Sequence, residues 1–306
     1  MNLATREAYG NTLVELIENK DVVVLDADLA HATKTLKFSQ ACPERFFNMG
    51  ISEADMIGTA AGLAACKKVP FASTFSVFAT GRAFDQIRNS VCYPKLNVKI
   101  VGTHAGISVG EDGGTHQAIE DIAIMRSLPN MSIVVPADDV EARAAVLDAS
   151  VRKGPQYLRM ARLAAPTIHS GDYTFQFGKG EILKDGSDMT IIAAGFMVAK
   201  ALDAAKALMD EGIDAQVINM ATIKPIDEEL IVSCAKKTGR LITVEEANIL
   251  GGLGSAVAEV LTDRYPAPLK RIGVEDKFGK SGNPAKLMEE YGLTAEHIIE
   301  VAKAFR

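Results

Sequence analysis

MSIVVPADDVEARAAVLDASVRKGPQYLRMA, residues 131–161, reads as strand, helix, strand. MSIVVPA (Met131–Ala137) is a short apolar run with β-branched residues, the pattern of a buried strand. DDVEARAAVLDASVRK is the cleanest helical stretch in the chain, and PQYLRMA (Pro155–Ala161) returns to strand. The same alternation runs upstream. VVVLDAD (Val22–Asp28), VPFASTF (Val69–Phe75) and NVKIVGTH (Asn97–His104) read as strands. Between them lie ATREAYGNTLVELIENK, with Leu13, Leu16 and Ile17 on one face, then SEADMIGTAAGLAACKK and GRAFDQIRNSVCY, all helical stretches. Such alternation predicts a parallel sheet covered on both faces.

The rhythm breaks at Leu163. LAAPTIHSGDYTFQFGKGEILKDGSD mixes Pro, Gly, Ser and charge without helical period, which predicts a linker carrying a short hairpin. Alternation restarts with MTIIAAG, MVAKALDAAKALMDEG, DAQVINM, DEELIVSCAKKTG, RLITVEE and GSAVAEVLTDRY. The expected fold class is α/β, in two three-layer domains: residues 1–165, with a mainly parallel sheet, and a smaller one at 186–306, joined by a linker at 166–185. A chain of 306 residues with 48% hydrophobic content can bury such a core, and it is mostly aliphatic because Trp is absent. The net charge of −6, without any basic run, argues against nucleic acid and anionic membrane as partners. The first twenty residues lack the apolar core of a signal peptide, and no run reaches the ~18 apolar residues of a membrane span, so the expected location is the cytoplasm. Cys42, Cys66, Cys92 and Cys234 are scattered and read as reduced thiols with packing roles.

In open α/β sheets, ligands sit beyond the carboxyl ends of the strands. The first domain's junctions carry DADLAHAT, ISEAD, STFSVF, THAGISVGEDGGTHQ and RMARL, far more reactive groups than the second domain's. NILGGLGSAV fails as a dinucleotide fingerprint because Val257 stands at its sixth position, and reads as a tight turn into a helix. His104, Asp112 and His116 are residue types that suit Zn²⁺, but the gaps between them run through a glycine-rich loop with no fixed geometry. No G-x-S-x-G elbow is present. From its local context alone, Glu53 favours a helix start, with Ser52 as N-cap and Asp55 completing a capping box; Phe75 and Phe78 read as core.

Taken in order, GISEADMIGTAAGLA, STFSVFATGRAFDQIRN, HAGISVGEDGGTHQ and LPNMSIVVPADD resemble the pyrimidine-binding domain of transketolases, and EEANILGGLGSAVAE resembles their C-terminal domain. The family's GDG…N segment, which holds Mg²⁺ or Ca²⁺ and the diphosphate of thiamine diphosphate, has no counterpart here. The chain is thus similar to the separately encoded C-terminal subunit of a split transketolase.

That resemblance implies an N-terminal partner subunit that holds the metal, a cofactor site shared with it, no metal ligands in this chain, and a dimer of heterodimers. The implied reaction moves a two-carbon ketol unit from a ketose to an aldose. Glu53 falls on the glutamate that hydrogen-bonds N1′ of the aminopyrimidine and drives its acid–base work. Phe75 and Phe78 fall on the aromatic wall, and Asp28 on an aspartate near the cofactor. His104, Asp112 and His116 match positions that contact the sugar, the two histidines close to the chemistry. Arg162 matches a phosphate-gripping arginine, with Arg159 as a competitor, and Arg6 falls near a second such arginine.

Two departures stand out. One extra residue occurs at about Gly81, and Ala32 stands near the place of a phosphate-contacting serine. Rival readings within the superfamily are 1-deoxy-xylulose-5-phosphate synthases, which are longer single chains, and β subunits of 2-oxoacid dehydrogenases, which lack the GEDG-x-x-H block. A non-catalytic binding subunit of the same fold is a third. A substrate shift to an unphosphorylated or sulfonated sugar ranks ahead of these.

Overall fold

The computed structural model describes residues 2–306. Six strands of the first half, β1 (Val22–Asp26), β2 (Phe46–Asn48), β3 (Val69–Phe75), β4 (Lys99–Thr103), β5 (Ser132–Val134) and β6 (Gln156–Arg159), run parallel. Helix α1 (Thr5–Glu15) precedes β1, and α2 (Ala30–Thr33), α3 (Leu36–Ala41), α4 (Glu53–Ala65), α5 (Phe84–Gln86), α6 (Asp121–Arg126) and α7 (Asp139–Val151) lie between the strands. The second half contributes β7 (Glu181–Lys184), β8 (Met189–Ala193), β9 (Ala215–Asn219), β10 (Thr222–Lys224), β11 (Leu241–Asn248) and β12 (Leu269–Val274). Its helices are α8 (Met197–Asp210), α9 (Glu228–Thr238), α10 (Leu253–Arg264), α11 (Pro284–Glu290) and α12 (Ala295–Ala304).

The α/β class and the mainly parallel sheets are as the alternation predicts. β1, β4 and β8 are buried at every residue, so they show no alternation of apolar and polar positions, and Lys99, Thr103 and Thr190 are buried with the rest. On one face of the first sheet, Tyr9 and Leu13 of α1 meet Ala142, Val146 and Ala149 of α7 over Val24, Phe71 and Leu158. On the other face, Met56 and Ile57 of α4 share a core with Ile100 and Tyr157, and that core runs on without a break into Ile218, Leu253 and Val257 of the second half.

The strand orders are β10-β5-β6-β4-β3-β1-β2 and β12-β11-β8-β9-β7. β10 therefore belongs to the second half in sequence but to the first sheet in space, antiparallel to β5 through Thr222 and Val134. The 163–188 stretch makes no hairpin of its own; β7 pairs antiparallel with the distant β9. Four further local expectations are corrected. GRAFDQIRNSVCY is not one helix: wide π-type turns at Phe78–Arg82 and Ile87–Cys92 flank the three residues of α5. An i→i+5 turn encloses one residue more than an α-turn, and Gly81 lies in the first of them. Ser52 occupies the N-cap of α4, but its side chain makes no capping bond. Cys66 is exposed, unlike the three buried cysteines, so it has no packing role. Phe78 is only partly buried, so its role is not simply that of a core residue.

Candidate active site

The carboxyl ends of β1, β3 and β4 and the first turn of α4 converge on one edge of the first sheet, as expected for this class. At the end of β1, the buried Asp26 accepts the Leu29 N–H at 2.6 Å and the hydroxyls of Thr33 and Thr35 at 2.6 and 2.9 Å. These bonds fix the path of residues 28–35. Asp28 sits on the rim of that path, exposed, at φ 62°, with its Oδ1 accepting Nδ2 of Asn48 at 3.0 Å.

Glu53 begins α4 with its side chain 5% exposed, and its Oε1 accepts Nη1 of Arg82 at 2.9 Å. The Arg82 guanidinium also lies over the Phe78 ring, 4.1 Å from its centroid. Phe78 stacks on Phe75 at 5.8 Å and 16°, and Phe75 stacks on His104 at 3.9 Å and 28°. His116 meets Phe78 edge-on at 5.3 Å and 71°. Linked through Arg82, Glu53 thus forms one continuous wall with Phe78, Phe75, His104 and His116.

His104 sits at φ 55° just past β4, 4% exposed. Arg6 donates from Nη1 to its Nε2 at 2.9 Å. A guanidinium only donates, so Nε2 is the acceptor and the proton lies on Nδ1, which donates to Thr103 Oγ1 at 2.9 Å. Burial, and then the charges of Arg6, Arg162, Lys34 and His116, push its pKa down to about 3. The imidazole is therefore neutral with one defined tautomer, suited to hydrogen bonding rather than to donating from an imidazolium.

Arg162 donates to the Val109 carbonyl and lies 3.5 Å from Glu111, its side chain part exposed. Arg159 is committed elsewhere. It is buried, bonded to Asp121 at 2.7 Å and to the carbonyls of Ala118 and Glu246.

The lip 106–117 is held from the second half of the chain. Glu245 and Glu246 follow each other near the end of β11 and face opposite sides, as consecutive strand residues must. Glu245 caps α10 by accepting the Leu253 and Gly254 N–H groups at 2.7 and 2.8 Å, and burial pushes its pKa up to about 7. Glu246 turns to the lip, where Oε1 accepts the Ser108 N–H at 2.6 Å. A Cβ on Gly106, at φ 82°, would lie 2.3 Å from that same Oε1, so only glycine allows the approach. Gln117 donates to the Lys280 carbonyl at 3.0 Å, and Ser281 donates to the Glu111 carbonyl. Asp112 is exposed at the end of the lip's 3₁₀ turn, on the rim like Asp28 rather than in the wall.

Arg82, Lys34 and Glu246 were not singled out by the sequence reading. Arg82 lay inside a quoted motif, and the adjacent Glu245–Glu246 pair at a strand's end was the available signal for the third. Nothing local marked Lys34.

Residues 1–167 match the family model for the transketolase pyrimidine-binding domain, and residues 178–298 the model for the transketolase C-terminal domain. The chain is 46% identical over 298 residues to a 6-deoxy-6-sulfo-D-fructose transketolase subunit of Clostridium sp. (strain MSTE9), covering 97% of this chain and 92% of that one. It is 38% identical over 305 residues to an apulose-4-phosphate transketolase subunit of Phocaeicola vulgatus, covering 99% and 97%. Among solved structures, it superposes with a TM-score of 0.91 and 53% identity on a split-gene transketolase described as an inactive β4 tetramer, covering 99% and 98% of the two chains. The chain belongs to the transketolase family, as the C-terminal subunit of a two-chain, thiamine-dependent transketolase.

Proposed function

We propose that this chain supplies the aminopyrimidine side of a thiamine diphosphate site and the wall that faces the sugar. A partner subunit would hold the diphosphate with its Mg²⁺ or Ca²⁺, and two such pairs would form a heterotetramer in the cytoplasm. The observation that carries the reading is the continuous wall from Glu53 through Phe78 and Phe75 to His104. Its chemistry fits the cofactor. Arg82, a flat group with N–H donors, already makes the two contacts an aminopyrimidine needs, a stack on Phe78 and a hydrogen bond to Glu53.

When bound, thiamine diphosphate supplies the electron sink that lets a ketose C2–C3 bond break. Glu53 would hold a proton against ring nitrogen N1′, and so set the acidity of the amino group conjugated to it across the ring. Phe75 and Phe78 hold the ring plane, and Asp28 steadies the rim nearby. His104 and His116 bond the sugar hydroxyls close to the reacting carbons, and Asp112 bonds them from the lip. Arg6 and Arg162 face the far, anionic end of the sugar. The two relatives above are named for a sulfonated ketose and a ketose phosphate, which supports an anionic terminus.

The test is hydrogen exchange at C2 of thiamine diphosphate in the complex with the partner subunit. Glu53→Gln is expected to slow it by about 10²-fold or more. An unchanged exchange rate returns Glu53 to favouring the start of α4. Purified alone, the chain is expected to turn over no sugar; robust activity without the partner would sink the two-chain reading.

A further inference from the structure

Where the resemblance places a phosphate-contacting hydroxyl, this chain has Ala32. The segment has found another use. The Ala32 carbonyl accepts Nη1 of Arg6 at 2.9 Å, and the same nitrogen donates to His104. Two residues on, Lys34 ends α2 in the left-handed conformation, φ 73°, which side chains rarely adopt. Gly10 of α1 approaches so closely that a Cβ there would lie 2.5 Å from the Lys34 Cβ and carbonyl oxygen. Arg6, Glu7 and Gly10 are neighbours on α1 at i, i+1 and i+4, so one helix positions Arg6, Lys34 and the 32–34 backbone together.

Lys34 Nζ lies 2.8 Å from Glu7 Oε1, with both side chains about a quarter exposed (26% and 27%). An ammonium has three N–H donors and this contact uses one. The Lys34 charge also reaches the site, since it is among the cations that depress His104. Arg6 Nε is buried and has no hydrogen-bond partner.

We propose that Lys34 is a specificity-determining residue. With Arg6 and Arg162 it forms a three-cation receptor for a tetrahedral oxyanion at the far end of the sugar, a phosphate monoester or a sulfonate, in place of the hydroxyl absent at position 32. The inference rests on the transketolase reading above. A hydroxyl selects by hydrogen-bond direction, whereas a mobile ammonium selects by charge, so this site accepts either oxyanion and discriminates against neutral sugars. Glu7 holds the ammonium at the rim and competes with the ligand for it.

The test uses the chain assembled with its N-terminal partner subunit, with ribose 5-phosphate and glycolaldehyde as acceptors. Lys34→Ala is expected to raise KM for ribose 5-phosphate about tenfold more than it changes KM for glycolaldehyde, and to weaken inhibition by inorganic phosphate in parallel. Lys34→Arg should keep the preference, and Glu7→Gln, which frees the ammonium, should lower KM for ribose 5-phosphate about threefold. Inhibition by methanesulfonate as strong as by phosphate assigns the receptor to sulfonates as well; inhibition by phosphate alone restricts it to phosphate esters. Equal KM changes for both acceptors, or Lys34→Ala and Glu7→Gln moving KM in the same direction, would overturn the assignment. Calorimetric titration with inorganic phosphate reads Lys34 without turnover. A wild-type complex that transfers to neither acceptor, yet binds phosphate and loses that binding on Lys34→Ala, fails the transketolase reading and keeps the anion receptor.

Discussion

Glu246→Ala separates two roles for the second domain, passive support and shaping of the 106–117 lip. The carboxylate is buried against Gly106 and accepts the Ser108 N–H at 2.6 Å. Its removal strands a buried N–H, which costs about 1–3 kcal/mol. It also leaves a cavity where a side chain of roughly leucine size stood, at about 2–5 kcal/mol. Part of this is returned, because burial already disfavours the ionised carboxylate and pushes its pKa up. A net loss of about 3 kcal/mol is reasonable. At about 2.1 cal/mol/K of unfolding entropy per residue over 306 residues, this lowers Tm by about 5 °C.

Function should suffer separately from stability. A misplacement of one ångström can cost about 10²-fold. Gln117 and Ser281 still tether the lip to residues 280 and 281, so a smaller rise is expected, about tenfold in KM for the aldose. KM for thiamine diphosphate should hold, because Glu53 and Phe78 stand on α4 and the turn after β3. Glu246→Gln keeps an oxygen acceptor for Ser108 and should restore most of the aldose KM. Melting curves and steady-state kinetics of the two-subunit complex decide the matter. If Glu246→Ala melts earlier and its aldose KM does not move, Glu246 supports the fold without shaping the lip.

Arg82→Met keeps an apolar stem on Phe78 and removes the cation that shares Glu53; thiamine diphosphate should then bind a few-fold more tightly, as read by titration of the complex, and weaker binding would make Arg82 a cofactor contact instead. His169 is buried, with Nδ1 2.9 Å from Asp138 and Nε2 3.1 Å from Glu181, and although burial opposes its charged form, these carboxylates with Glu141 lift its pKa to about 9. Its folded pKa lies above the unfolded 6.5, so its stabilisation is complete below pH 6.5 and is lost as pH rises through 9. His104 works in the opposite sense: with its folded pKa down at about 3, the native state loses stability as pH falls below 6.5. Melting temperature should therefore fall on both sides of about pH 6.5, and His169→Gln should flatten the alkaline side; an unaltered alkaline side would remove His169 from the balance.

Much of the candidate site was legible because it is local to strand ends. A β-branched run followed by a helix fixes where a junction falls, and the junctions ending β1, β3 and β4 carry Asp28, Phe75 and His104. The motif order then matched these junctions to one family. Partners were not legible. Glu53 meets Arg82, 29 residues away, and Ser108 meets Glu246, 138 residues away. Neither spacing has a period that a helix or a strand would impose. Ser52 shows the converse, a sound local capping signal that the backbone at φ −148°, ψ 66° does not use.

Hydrophobic period and turn chemistry act over a few residues, so the α/β class, the succession of elements and the side chains at each strand's end follow from the order of residues along the chain. The tertiary structure alone decided the strand order, the crossing of β10 into the first sheet, the neutral tautomer of His104 and the clamp of the second domain on the lip. Those depend on which distant groups are buried together. Burial makes an unpaired polar group costly, so each takes whatever partner the assembled fold puts within reach.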